Sequence, residues 1–506
     1  MRPILLLAAA VAVTLPLTVH AQTNPPQTLR IGVADDADAL DPTLSRTLVG
    51  RFVFASLCDK LVDIDVKLNI VPQLAASYAW IDSKTLEFKL RPGMKFHDMT
   101  PVDAEAVKFS LERHLTLAGS TRKGEIGSLD HVMVVDPLTV RLVLKAPNSP
   151  FLAQLSDRSG MIVSPKAAMA AGANFGQNPV CAGPFKFTER VPQDRIVVDR
   201  FPEYWDAGNV HVNRVVYQPI VDATIRLANL RAGTLDMAER IAPTDMAQVK
   251  ADPKLKAETF DGLGFQSLAF NIANGKQPRT PMMSDARVRQ AFAAAIDRQA
   301  IVDVVYNGLF TPIAQAVPPN SPFYAPEIKP VGRDIAKAKR LLAEAGVKTP
   351  LTAELMITNA ADQRQTGEVI QSMAAEAGFD VKLRATEFVT ALKAQGDGDF
   401  EVFLIGWSGR ADADGNLYNA IHTGTPLNDV KYSSVLVDGL LEQTRTETDV
   451  AVRRALYGKI AAQLNIDVPV MYIYSPKVLI GMSTKITGFA PIADGLIRIK
   501  GLKMGQ

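Results

Sequence analysis

From residue 284 to residue 407 the sequence alternates between two apolar periods, and this alternation narrows the possible folds more than any other feature. SDARVRQAFAAAIDRQAIV places apolar residues at 288, 291, 292, 295 and 296. That is one face of an amphipathic helix, with Ser284 as its N-cap. RDIAKAKRLLAEAG predicts a second helix, from an Asp334 cap to Gly346 as its stop. A strand near 351–357, a helix from about 365 to 377 ended by Gly378, and a strand through Val381 and Leu383 follow. The run Phe400 to Trp407, FEVFLIGW, is nearly all apolar, as a strand covered on both faces would be. Strands separated by helices predict an α/β lobe, whose natural ligand site is the loops at strand ends.

The first half mixes strands and helices less regularly. TLRIGVADD, residues 28–36, alternates Leu29, Ile31 and Val33 and then turns polar, which predicts a half-buried strand ending in a loop. KTLEFKLRPG and LTVRLVLKAP carry the same alternation at Leu86, Phe88, Leu90 and at Val140, Leu142, Leu144, each stopped by a Pro-containing turn. Between them, TPVDAEAVKFSLERHL predicts a helix with Thr100 as N-cap, Pro101 at its first position and Asp103 in its first turn.

The N-terminus has the layout of a cleavable export signal. Arg2 supplies the positive charge, Ile4 to Val13 is an almost unbroken apolar run, Pro16 breaks it, and Val19-His20-Ala21 offers small or modest residues for cleavage. The run is too short for a stable membrane anchor. With no Cys near the cut, the expected mature chain starts at Gln22 and is soluble in the periplasm, without a lipid anchor. Removing 21 residues from 506 leaves 485, too many for one core.

Charge and motif content exclude several functions. The chain has 55 Lys and Arg against 53 Asp and Glu, so it lacks the excess positive charge of a nucleic-acid partner. His97, His114, His131, His211 and His422 are too scattered for a metal-ligand pair, and no phosphate loop, dinucleotide fingerprint or Gly-x-Ser-x-Gly elbow occurs. No cofactor and no metal is expected, and the chain reads as a non-enzyme. Asp412 and Asp414, as paired carboxylates, leave a secreted glycosidase as a remote alternative. Cys58 and Cys181 read either as a disulfide, which an exported protein permits, or as two small buried thiols.

Four ordered segments resemble the peptide/nickel class of ABC-importer solute-binding proteins, family 5. They are DALDPTLS with the segment from Leu57 to Arg113, NPVCAGPFKFTERVPQDRIVVDRFPEYW, SDARVRQAFAAAIDRQAIVDVVYNGLFTPIAQAVPP, and DIAKAKRLLAEAG. The resemblance implies a two-lobed periplasmic-binding-protein fold of the class C type. Lobe I would take 22–268 plus 476–506, with an inserted subdomain at about 53–181, and lobe II would take 269–475. It implies capture of a small polar ligand, peptide-like or anionic and polyfunctional, by hinge closure, and delivery by a monomer to a membrane permease. A receptor for a membrane signalling partner would use the same fold. Cys58 and Cys181 replace a Tyr and a Gly of the family signatures at the two ends of one excursion, which implies a Cys58–Cys181 disulfide.

The resemblance also marks a site. The loop Trp407 to Asn416, WSGRADADGN, would face the cleft, with Trp407, Arg410 and Asp412 as ligand contacts; its other reading is an Asx-turn loop whose carboxylates cap local amides. Dipeptide-binding relatives carry an Asp where Arg410 stands, and an Arg near Ile357 is missing, so both ends of a dipeptide lose their partners. Arg410 suits a carboxylate or phosphate, or else pairs internally with Asp412 or Asp414. Asp38 and Asn271 would line the cleft or brace the hinge backbone.

Overall fold

The structure, a computed structural model, describes residues 27–505, so the predicted signal and its cleavage site lie outside the described residues. Thr28–Val33 forms the expected strand, with Leu29, Ile31 and Val33 fully buried. It is the middle of a seven-stranded sheet, in the order Leu255–Asp261, Lys477–Ser483, Met237–Glu239, Thr28–Val33, Arg214–Pro219, Arg195–Arg200, Phe185–Val191. Thr28–Val33 runs parallel to both of its neighbours. Their carboxyl ends therefore open on one edge, where the chain leaves as loops.

An excursion from this sheet carries its own core. Leu86 pairs with Leu142 and Phe88 with Val140 in a four-stranded antiparallel sheet ordered Ala75–Trp80, Thr85–Leu90, Thr139–Leu144, Leu129–Asp136. The helix Ala104–Thr116 packs on it. Its cap is Asp103, which accepts from the Ala106 N–H at 2.9 Å, rather than Thr100. Pro101 therefore lies outside the helix, where its missing N–H costs nothing. Cys58 and Cys181 are bonded, 123 residues apart in sequence, and tie together the two chain segments that flank this sheet.

The six-stranded second sheet is ordered Thr311–Pro312, Val470–Ser475, Phe265–Phe270, Val402–Trp407, Leu351–Thr358, Phe379–Thr386. All six residues of Phe265–Phe270 are buried. Val402 and Leu404 pack into one core and Phe403 and Ile405 into another, so the strand is covered on both faces. The long helix expected from Ser284 is instead two helices, Ala286–Ala295 and Arg298–Tyr306. Asp285 caps the first and Asp297 the second, and each side chain accepts an N–H that a continuous helix would have paired internally. The chain passes from the first sheet to the second across 262–264 and returns at Pro476.

Candidate functional site

A cavity of about 540 Å³ lies between the two sheets. Its floor on one side is formed by the loops after Thr28–Val33 and Met237–Glu239, which carry Asp35 and Arg240. On the other side it is walled by the loops after Leu351–Thr358 and Val402–Trp407, which carry Asp362 and Trp407. Parallel strands thus aim their carboxyl ends into one space from two lobes. Tyr306, Phe310 and Tyr474 add an aromatic wall, with the Tyr306 and Phe310 rings stacked at 4.7 Å.

The loop after Val402–Trp407 is fixed by its backbone. Gly409 has φ +75°, and a Cβ there would lie 2.2 Å from the Leu263 carbonyl, so only glycine fits. Asn416 accepts from the Arg410 N–H at 2.9 Å and donates to Leu263 and Ala316 carbonyls, closing the loop on itself. Trp407 and Arg410 both line the cavity, with the guanidinium 5.2 Å from the indole ring. The Trp407 indole N–H is buried there without a hydrogen-bond partner.

Arg410 does not pair with Asp412 or Asp414. It reaches Asp157 of the other lobe, Nε to Oδ2 at 2.5 Å, and its charge belongs to a buried network. Arg51 meets the same carboxylate at 3.2 Å and Arg158 at 3.9 Å, while Arg122 pairs with Glu125 at 2.5 Å. Four guanidiniums therefore face two carboxylates, with almost no solvent to screen them. Burial works to raise the Asp157 carboxyl, yet Arg410, Arg51, Arg158 and Arg122 together hold it well below the usual range. Burial first, then Arg51, lower the Arg410 guanidinium to about 10.

The other predicted contacts stand off the cavity wall. Asp412 forms a two-pronged bond to Arg453, at 2.7 and 2.8 Å, and Asp414 does the same with Arg445 at 2.7 and 2.9 Å. Both carboxylates brace helices, so the pair has no access to a sugar and the glycosidase reading loses its chemistry. Asp38 accepts from Ser45, Thr47 and the Arg46 N–H, turning the chain into the helix Leu48–Leu57. Asn271 is fully buried and bonds the Gly398, Phe400 and Asn274 carbonyls. For Asp38 and Asn271 the bracing alternative describes the geometry. Ile357 is a fully buried core residue beside Leu355.

Sequence reasoning missed Asp157, Asp35, Arg240 and Asp362. Asp35 was within reach, because it stands at the carboxyl end of a recognised strand. Asp157 had no local signal, since its partner is 253 positions away by the numbering of the Arg410–Asp157 contact. Among the described residues no group of three or more His, Cys, Asp or Glu could hold a metal ion, and no helix is long and apolar enough to cross a membrane.

Two lobes meeting over an enclosed, charge-lined cavity, joined by crossings at 262–264 and Pro476, are the architecture of a protein that closes on a solute. The sequence profile of the bacterial extracellular solute-binding proteins, family 5 (middle region), matches residues 69–428, and the chain belongs to that family. The glutathione-binding protein GsiB of Pectobacterium atrosepticum is 29% identical over 480 residues, 92% of each chain. The structure of the PBP AgaA from A. tumefaciens R10, in complex with agropinic acid, is 28% identical with a TM-score of 0.87, covering 95% of this chain and 99% of that one. The ABC transporter-associated periplasmic binding protein DppA from Helicobacter pylori, in complex with the peptide STSA, is 25% identical with a TM-score of 0.87, covering 95% and 98%. These relatives are binding proteins.

Proposed function

We propose that this chain is the periplasmic solute-binding component of an ABC importer, that it captures a small polar ligand carrying a carboxylate, and that it hands the ligand to the membrane permease. The carrying observation is the excess of guanidinium over carboxylate behind Arg410, beside an indole N–H with no partner. A buried donor left unpaired costs about 1–3 kcal/mol, and a ligand oxygen accepting from Trp407 would recover it. The relatives named for glutathione and agropinic acid support an acid-bearing ligand. Export follows from the Arg2 to Ala21 signal, with the mature chain beginning at Gln22. The lobes of this reading are residues up to 261 with those from 477, and residues 265–475.

Native mass spectrometry of the exported protein tests both parts, because one mass reports the N-terminus and any co-purified compound. Calorimetry with that compound then compares Arg410→Ala and Trp407→Ala with wild type. Charge-assisted bonds contribute roughly 1.5–3 kcal/mol, so Arg410→Ala weakens binding by about tenfold to a hundredfold. Trp407→Ala also weakens it, through lost packing. An unchanged affinity in Arg410→Ala would reduce that residue to an interlobe ion pair.

A further inference from the structure

The cavity has a second charged cluster, and it shares no member with the one behind Arg410. Arg240 sits at φ +47°, a left-handed conformation that a side chain adopts only where the surrounding structure enforces it. That backbone directs its guanidinium into the cavity, where the side chain keeps 54% of its surface. Asp35 accepts from it at 3.1 Å, and Glu239 stands at 3.8 Å. Glu239 is held in turn by the Ala34 N–H at 2.8 Å.

Asp362 faces this group from the opposite lobe, in the first turn of the helix Ala361–Ala377. Its carboxylate makes no hydrogen bond and no ion pair among the described residues, although its charge acts on Asp35, Arg226 and Arg240. Arg226, the second cation of the cluster, gives its guanidinium to the carbonyls of Ile220, Val221, Glu239 and Arg240 and has nothing left for a ligand. Three carboxylates therefore meet two guanidiniums, one of which is fully occupied. Burial holds Asp35 above the usual carboxylate range, against the pull of Arg240.

The two clusters have opposite imbalance. Behind Arg410 the cavity wall is short of negative charge; around Asp362 it is short of positive charge. We infer that Asp362 and Asp35, presented from opposite lobes, hold a cationic nitrogen of the ligand, so that the ligand is an amine- or guanidine-bearing acid with its carboxylate at Arg410 and Trp407. This rests on the solute-binding reading above and adds the ligand's second charge and its direction in the cleft. A cation between Asp35 and Asp362 also relieves the approach of two like charges as the lobes close, which couples recognition to closure. Asp362 at a helix N-terminus is a stable anion without any ligand, so the test separates binding from helix stabilisation.

Thermal shift and then calorimetry on the mature chain would use a panel of free amino acids, dipeptides and glutathione. Each compound is paired with its N-acetyl derivative, which loses the cation, and its methyl ester, which loses the anion. At least one parent compound binds, and N-acetylation weakens it by about tenfold or more. Asp362→Asn weakens that parent by a similar factor, leaves affinity for the N-acetyl form unchanged, and keeps the unfolding midpoint of the ligand-free chain. Equal binding of parent and N-acetyl forms, or an equal loss for both in Asp362→Asn, would overturn the inference. If only nitrogen-free acids bind, the polarity is wrong and the solute-binding reading stands. If no compound of any charge binds and native mass spectrometry finds none on the protein, both readings fall.

Discussion

Asp157→Asn removes one negative charge without changing the shape of the side chain, and it does so where three guanidiniums converge. Arg410 lies 2.5 Å from the carboxylate, Arg51 3.2 Å and Arg158 3.9 Å, and Asp157 keeps 7% of its side-chain surface. After the substitution four guanidiniums face Glu125 alone. Removing one partner of a buried ion pair costs about 3–5 kcal/mol, because the remaining charge stays out of water. Urea unfolding followed by tryptophan fluorescence measures the loss. Trp407, 5.2 Å from the Arg410 guanidinium, reports locally. Because Arg410 and Asp157 belong to different lobes, the ligand-free variant should also be more open by small-angle scattering. The pH dependence follows from the sign of the shift. A carboxyl whose folded pKa is depressed contributes above its unfolded value, near 3.9, and loses that contribution as pH falls through the lower folded value. The difference between wild type and Asp157→Asn therefore stays constant from pH 8 to pH 5. A loss under about 0.5 kcal/mol, or a difference that fades by pH 6, would show that Asp157 is not the counter-charge. A second check adds Arg410→Gln: the double variant loses less than the two single losses together, since removing one excess cation relieves the rest.

Two further outcomes follow from buried groups outside the cavity. Non-reducing peptide mapping finds Cys58 joined to Cys181, and replacing both by Ala lowers stability by up to about 5 kcal/mol, the chain-entropy value for a closed loop of this length; two thiols alkylated without reductant in folded protein would contradict it. Burial lowers His114 to about 3 and His97 to about 4, so both are neutral when folded and charge more readily when unfolded. Stability is then full above about pH 6.5 and falls between there and pH 4; a flat urea midpoint across that interval would refute the assignment.

What was legible in the sequence was whatever local periodicity and caps decide. Leu29, Ile31 and Val33 announced their strand, Asp334 its helix, and the apolar run 400–407 a strand covered on both faces, because each signal lies within one element. The helix predicted from Ser284 failed at Asp297, a residue whose side chain competes with the helical ladder for an N–H. The periodicity of the apolar face continues across that break, so the pattern alone could not register it. The disulfide was readable only through the resemblance, which showed two unlike family positions both turned to cysteine.

The binding-site residues divide on the same principle. Trp407 and Arg410 could be proposed because the strand and the Gly-rich loop after it are contiguous. Asp412, two positions on, has the same local credentials, yet its partner Arg453 lies on a helix that the loop's sequence says nothing about. A carboxylate near a cleft binds ligand only if no guanidinium of the fold reaches it first, and that is settled by elements hundreds of residues away. Asp362 is the converse case. It occupies an ordinary first-turn position that sequence alone would assign to the helix dipole, and only the packing of the opposite lobe turns it towards Arg240 and Asp35 while leaving it unpaired. Charge type is written locally in this chain; whether a charge is spent or available is written in the closure of the two lobes.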